Sequence, residues 1–187
     1  GPAWVVCPWA PQPPPAGARP GPARAPGGGG GGGPLHPVTA ASAGIPGHPG
    51  RGMDPEMAKQ LRARGGEPNG HVSRSLTTEM LALADLVVTF EFAQRMRILE
   101  SHPGWSHKLF GLHQLADALE RTTTARTGFW LVHEALRASS PDSMTWDVAD
   151  PYGRGATAAR RAADEIDAAL SVIVPALTRV PAGGQQR

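Results

Sequence analysis

The strongest constraint on this chain is where its backbone freedom is concentrated. Of 187 residues, the first 50 carry 13 of the 24 glycines and 13 of the 20 prolines, with no Asp, Glu or Lys. Residues 8–34 read PWAPQPPPAGARPGPARAPGGGGGGGP and include seven consecutive glycines. Proline withdraws backbone donors and glycine loses the most entropy on ordering, so disorder is expected here. A buried core must then come from elsewhere, with one possible strand ahead of this stretch at residues 3–7, Ala3-Trp4-Val5-Val6-Cys7.

Past residue 37, strand and helix signals alternate. Residues 38–43 read as a strand closing at Gly44, and residues 45–52 as a Gly/Pro loop. Asp54 is a good N-cap, Pro55 suits the first helical position, Met57 and Leu61 share a face, and Gly65-Gly66 stops the helix. Thr77 caps a short helix through Met80 and Leu81, and the apolar run at residues 86–90 has the character of a buried parallel strand. A helix over residues 92–100, a strand over 108–112 and a helix carrying Leu115 and Leu119 continue the rhythm. Residues 121–149 read as an insertion with one helix near 129–137 and a turn at Ser139-Ser140-Pro141-Asp142. The last helix starts near Thr157 and stacks Ile166, Leu170, Ile173 and Leu177 on one stripe, with Pro175 expected to kink or shorten it.

This pattern predicts an α/β fold: a three-layer sandwich with a short parallel sheet of about four strands and helices on both faces. The domain is expected over residues 38–180, after a degenerate segment at 1–37 and before a tail at 181–187.

Composition removes several function classes. Arg19 and Arg24 are the only formal charges before residue 51, which leaves 16 basic and 16 acidic residues over 51–187. The pI of 9.2 therefore marks no basic face, and no nucleic-acid partner is expected. The single cysteine, Cys7, excludes an internal disulfide, a four-cysteine zinc site and a multi-thiol relay such as arsenate reduction uses. His102, His107 and His113 are five and six apart, which does not align them on one helix face, so no metal and no cofactor is expected. No run of about 18 apolar residues occurs. The expectation is therefore no membrane partner and a cytoplasmic location. The oligomeric state is not legible.

Several segments together are fairly specific: Ser42-Ala43-Gly44, Gly50-Arg51-Gly52-Met53-Asp54-Pro55, His71-Val72-Ser73-Arg74-Ser75-Leu76-Thr77, Ala84-Asp85-Leu86-Val87-Val88-Thr89 and Asp150-Pro151-Tyr152-Gly153. With them, roughly residues 38–175 resemble the low-molecular-weight protein tyrosine phosphatases. The resemblance implies hydrolysis of phosphotyrosine on protein substrates, with a strand-end cysteine attacking phosphorus inside a Cys-x5-Arg-Ser loop. It places Cys7 as nucleophile, Asp150 as the acid that protonates the departing phenolate and then activates water, and Tyr152 beside the substrate ring. Ser42 and His71 match positions that support the phosphate loop, and Arg74 reads as structural.

The chain departs from that pattern at one place. Six residues after Cys7 stands Pro13 instead of arginine, and Pro8, Pro11 and Pro13 remove three amides from the cradle. The distance in sequence from Cys7 to Ser42 suits a loop, a helix and a turn, and the intervening residues are dominated by those of GC-only codons. Two expectations follow: an enzyme whose phosphate loop is read out of frame over residues 8–34, or a catalytically inactive relative serving as an interaction module.

Overall fold

The computed structural model describes residues 7–8, 40–45, 47–124 and 128–178. The expected strand at 3–6, the Pro/Gly stretch at 9–34 and the tail from 181 lie outside the described residues.

The organising element is a parallel pair, β3 (Val87–Thr89) with β4 (Leu109–Gly111), in the register Val87 to Leu109, Val88 to Phe110 and Thr89 to Gly111. Side chains alternate across a strand, so this pair feeds two cores. Val88 and Phe110, with Leu86, pack into the larger core with Leu112, Leu115, Ala118, Val132, Ala135, Ala162 and Ile173. Val87 and Leu109 pack into a smaller one with Leu81, Ala84 and Ile98. Residues on both strands are buried without exception, which is why neither reads as alternating in sequence.

The larger core is roofed by α4 (Leu112–Arg121), α5 (Phe129–Ala138) and α6 (Gly155–Thr178), which pack on one another. The smaller is covered by α2 (Thr78–Leu83) and α3 (Phe92–Ser101). Helices therefore lie on both faces of the pair. The remaining helix, α1 (Pro55–Ala63), sits against α6, where Arg64 pairs with both Asp164 and Asp167.

The helix ends follow the sequence signals. Asp54 accepts from the amides of Glu56 and Met57 at 3.1 Å, with Pro55 in the first turn. Gly65 turns the chain at φ 81°, and a Cβ at Gly66 would meet Leu61 Cδ1 at 2.3 Å. Thr77 accepts from Met80 N at 3.2 Å. The last carbonyls of α2 are met by Lys108, whose Nζ donates to Leu81 at 2.6 Å and Ala84 at 2.9 Å.

Three expectations need correction. First, β1 (Cys7–Pro8) and β2 (Ala40–Ala41) pair antiparallel, so the described strands form two two-stranded sheets instead of one four-stranded parallel sheet. Each of these strands is two residues long, and Pro8 has no N–H to extend a ladder. A parallel bridge between Gly44 and Ser75 continues the pairing beyond β2. Second, the segment that reads as irregular contributes to the main core, where Val132 and Ala135 of α5 are 6% and 0% exposed. Third, Pro175 does not cut α6 short, and the helix runs on to Thr178. The missing amide sacrifices one hydrogen bond, and burial of Ile173 and Leu177 on either side holds the helix.

Asp142 is the least expected buried group. Its side chain, 3% exposed, faces Arg95 at 3.6 Å and accepts from Ser143 N at 3.0 Å. A Cβ on Gly111 would stand 3.0 Å from its carboxylate, a tight contact that would press on the Asp142 side chain. Burial lifts its pKa against the opposing pull of Arg95. Removing one member of such a pair strands the other charge, so Asp142→Ala should lower unfolding free energy by about 3 kcal/mol. Leu115→Ala, at a fully buried site, should cost about 2–5 kcal/mol. Urea unfolding midpoints check both.

Candidate active site

The site grows from the carboxyl end of β3. After Thr89 the chain turns through Phe90 and Glu91 into α3, and Gln94 reaches back so that its Oε1 accepts from Phe90 N at 3.1 Å and Glu91 N at 3.2 Å. That local cap leaves the Phe92 amide and the Phe90 carbonyl for a distant partner. Asp147 Oδ1 accepts from Phe92 N at 2.7 Å, and Val148 N donates to Phe90 O at 2.9 Å. With Val148 3% exposed in the main core, this segment is fastened to the β3–α3 junction from 55 residues away.

Asp150 follows two residues later. Its Oδ1 accepts from Tyr152 N at 3.0 Å, and Arg154 N donates to Pro151 O at 3.0 Å, which closes the Asp-Pro-Tyr-Gly turn. Tyr152 is 54% exposed and its ring stands at the surface. Asp150 also walls a cleft of about 270 Å³ shared with α6.

Electrostatics gather there. Burial, then the carboxylates of Asp150 and Asp147, push Glu91 above its ordinary value. Three carboxyl groups thus share one partly desolvated corner.

On the amino-terminal side, β1 lies alongside β3 and pairs with β2, Cys7 opposite Ala41. Ser42 is the next residue, and its carbonyl accepts from Arg74 Nε at 2.9 Å. The Arg74 carbonyl in turn accepts from Gly44 N at 2.8 Å, and Leu76 N donates to Gly44 O at 3.0 Å. Arg74 is therefore spent on the backbone after β2. His71, half-buried three residues earlier, has its pKa lowered by burial and then by Arg74, which keeps it neutral at pH 7. Pro13, at the departure from the expected motif, lies outside the described residues. Among the described residues no cluster of three His, Cys, Asp or Glu could hold a metal, and no helix is long and apolar enough to cross a membrane.

A family model for low molecular weight phosphotyrosine protein phosphatases matches residues 32–125. The chain belongs to this family. A relative from Ralstonia nicotianae, described as the probable low molecular weight protein-tyrosine-phosphatase EpsP, is 24% identical over 138 residues, covering 74% of this chain and 76% of its own. Two solved structures share the fold: the YwlE arginine phosphatase from Geobacillus stearothermophilus (22% identity, TM-score 0.53, covering 70% of this chain and 68% of its own) and a YwlE mutant from Bacillus subtilis (23%, 0.51, 70% and 71%). Both solved structures share the α/β architecture described above.

Sequence reading missed Glu91 and Asp147. A signal for the first existed, since Glu91-Phe92-Ala93-Gln94 at a strand end is a helix start with a Gln three residues on. Asp147 offered none, because its amide partner is 55 residues away in sequence.

Folding favours the protonated form of Glu91, since its folded pKa lies above the ordinary 4.5. Its contribution to stability is therefore whole below that value and is lost as pH rises through the raised one. Glu91→Gln should gain on the parent across that window and hold a constant difference above it; unfolding curves that stay parallel from pH 4 upward would contradict the shift. Asp147→Ala removes a helix cap and should cost about 1 kcal/mol. Amide exchange at Phe92 and Val148 should quicken in that variant.

Proposed function

We propose that this chain acts on phosphotyrosine in proteins through a phosphocysteine intermediate, Cys7 being the nucleophile and Asp150 the acid and then the base. The observation that carries this reading is the anchoring of the Asp150 loop. Hydrogen bonds from Val148 to Phe90 and from Phe92 to Asp147 hold it over the carboxyl end of β3, where ligands meet α/β sheets, and β1 with Cys7 runs alongside β3. Family membership supports phosphoproteins as the substrate class.

In the proposed sequence the Cys7 thiolate forms a bond to phosphorus as the bond to the phenolic oxygen breaks, and Asp150 gives that oxygen its proton. Asp150, now a carboxylate, takes a proton from water as the water oxygen attacks the phosphocysteine. Inorganic phosphate leaves, the thiolate is restored and Asp150 is again protonated. Tyr152, exposed beside Asp150, flanks the substrate ring. Ser42 and His71 brace the backbone around the phosphate, with His71 held neutral.

A second reading has its own support. Pro13 occupies the position where the family's loop has arginine, and Pro8 and Pro11 supply no amides. Without those donors a dianion meets no cradle, and the domain would serve as an inactive relative that binds proteins.

Turnover of an aryl phosphate by the purified chain separates the two. On the first reading Cys7→Ser abolishes hydrolysis and Asp150→Asn lowers kcat by about 10²–10⁴-fold. A folded chain with no turnover, or turnover that survives Cys7→Ser, overturns it in favour of the second.

A further inference from the structure

The cleft beside Asp150 is lined by more than the acid loop. Arg154, Thr157, Ala158, Arg161, Ala162 and Glu165 recur every three or four residues, so the start of α6 turns one continuous side toward it. The carboxylates in this wall are already engaged. Glu165 faces His113 at 3.5 Å, and Asp150 holds the Tyr152 amide. The guanidiniums are not: Arg154 and Arg161 are exposed and form no ion pair among the described residues, whereas Arg64, Arg95 and Arg121 all do. Two planar donor forks thus share a cleft of about 270 Å³ with the residue assigned to proton transfer.

We infer that Arg154 and Arg161 form a specificity subsite for a carboxylate side chain, an Asp or Glu flanking the phosphotyrosine of the protein substrate. This rests on the substrate reading above. A peptide that presents its phosphotyrosine ring to Asp150 and Tyr152 lays its neighbouring residues across the mouth of the cleft. A carboxylate there meets two guanidiniums, an amide side chain meets two unmatched charges, and a lysine is repelled. Thr157, on the same wall, offers a hydroxyl to the same group.

The test is a binding titration, by fluorescence anisotropy, of the full chain against five labelled tyrosine peptides: acidic or amide flanks, each with and without the phosphate, and lysine flanks with it. Acidic flanks should tighten binding by about fivefold at low salt, and the advantage should fade toward 1 M salt as screening shortens. Arg154→Glu and Arg161→Glu should each erase it and turn the preference toward a lysine-flanked peptide; Arg161→Gln, which keeps a polar side chain of similar reach, should erase it without reversal. Equal binding of acidic and amide peptides overturns the subsite, as does an acidic preference that survives both charge reversals. The effect of the phosphate is read separately. If acidic flanks matter and the phosphate does not, the subsite stands and the phosphatase reading falls. If only the phosphate matters, the subsite falls and that reading stands.

Discussion

Everything else in this molecule hangs on a three-residue parallel pair buried on both faces. Because β3 and β4 alternate side chains between two cores, Val88 and Phe110 commit the chain to one helical layer while Val87 and Leu109 commit it to another. Helices α4, α5 and α6 can only cover the first, and α2 and α3 the second. The carboxyl ends of the two strands then point the same way. Glu91 and the start of α3 follow one, and Gly111, crowded by Asp142, ends the other. A short sheet with so few backbone hydrogen bonds depends on the apolar area it joins more than on its own ladder.

That arrangement explains why the acid loop is held by backbone groups. The β3–α3 junction leaves one carbonyl and one amide available once Gln94 has capped its neighbours, and Val148 and Asp147 take them. The same closeness is electrostatically costly. Asp147 and Asp150 arrive beside Glu91, and their charges add to burial in raising its pKa. On the other side of the turn, the start of α6 presents Arg154 and Arg161, which form no ion pair among the described residues. Asp150 belongs to both groups, beside Glu91 and in the same cleft as Arg154 and Arg161.

Local chemistry was readable wherever cause and consequence lie within a few residues. The Asp54 and Thr77 caps, the Gly65-Gly66 stop and the apolar runs of β3 and β4 are of this kind. Asp142 shows the opposite: Ser-Ser-Pro-Asp is turn chemistry by every local criterion, yet its carboxylate is buried against Arg95 because the loop packs over Gly111 and α3. The length of α6 past Pro175 and the core role of α5 were hidden for the same reason. Burial of Ile173 and Leu177 outweighs the lost hydrogen bond, and Val132 and Ala135 draw into the main core a segment that looks irregular from its polar flanks.

The sequence by itself determined the alternation of helix and strand, the absence of a thiol network and the Asp-Pro-Tyr-Gly turn, since each is written in adjacent residues or in plain counts. Only the tertiary structure decided that β1 and β2 run antiparallel, that Asp147 and Glu91 share a corner with Asp150, and that two arginines of the α6 wall face the same cleft. Those facts join groups that are far apart in the chain or depend on which side of a helix meets its neighbour, and they are set by packing, to which no local propensity gives access.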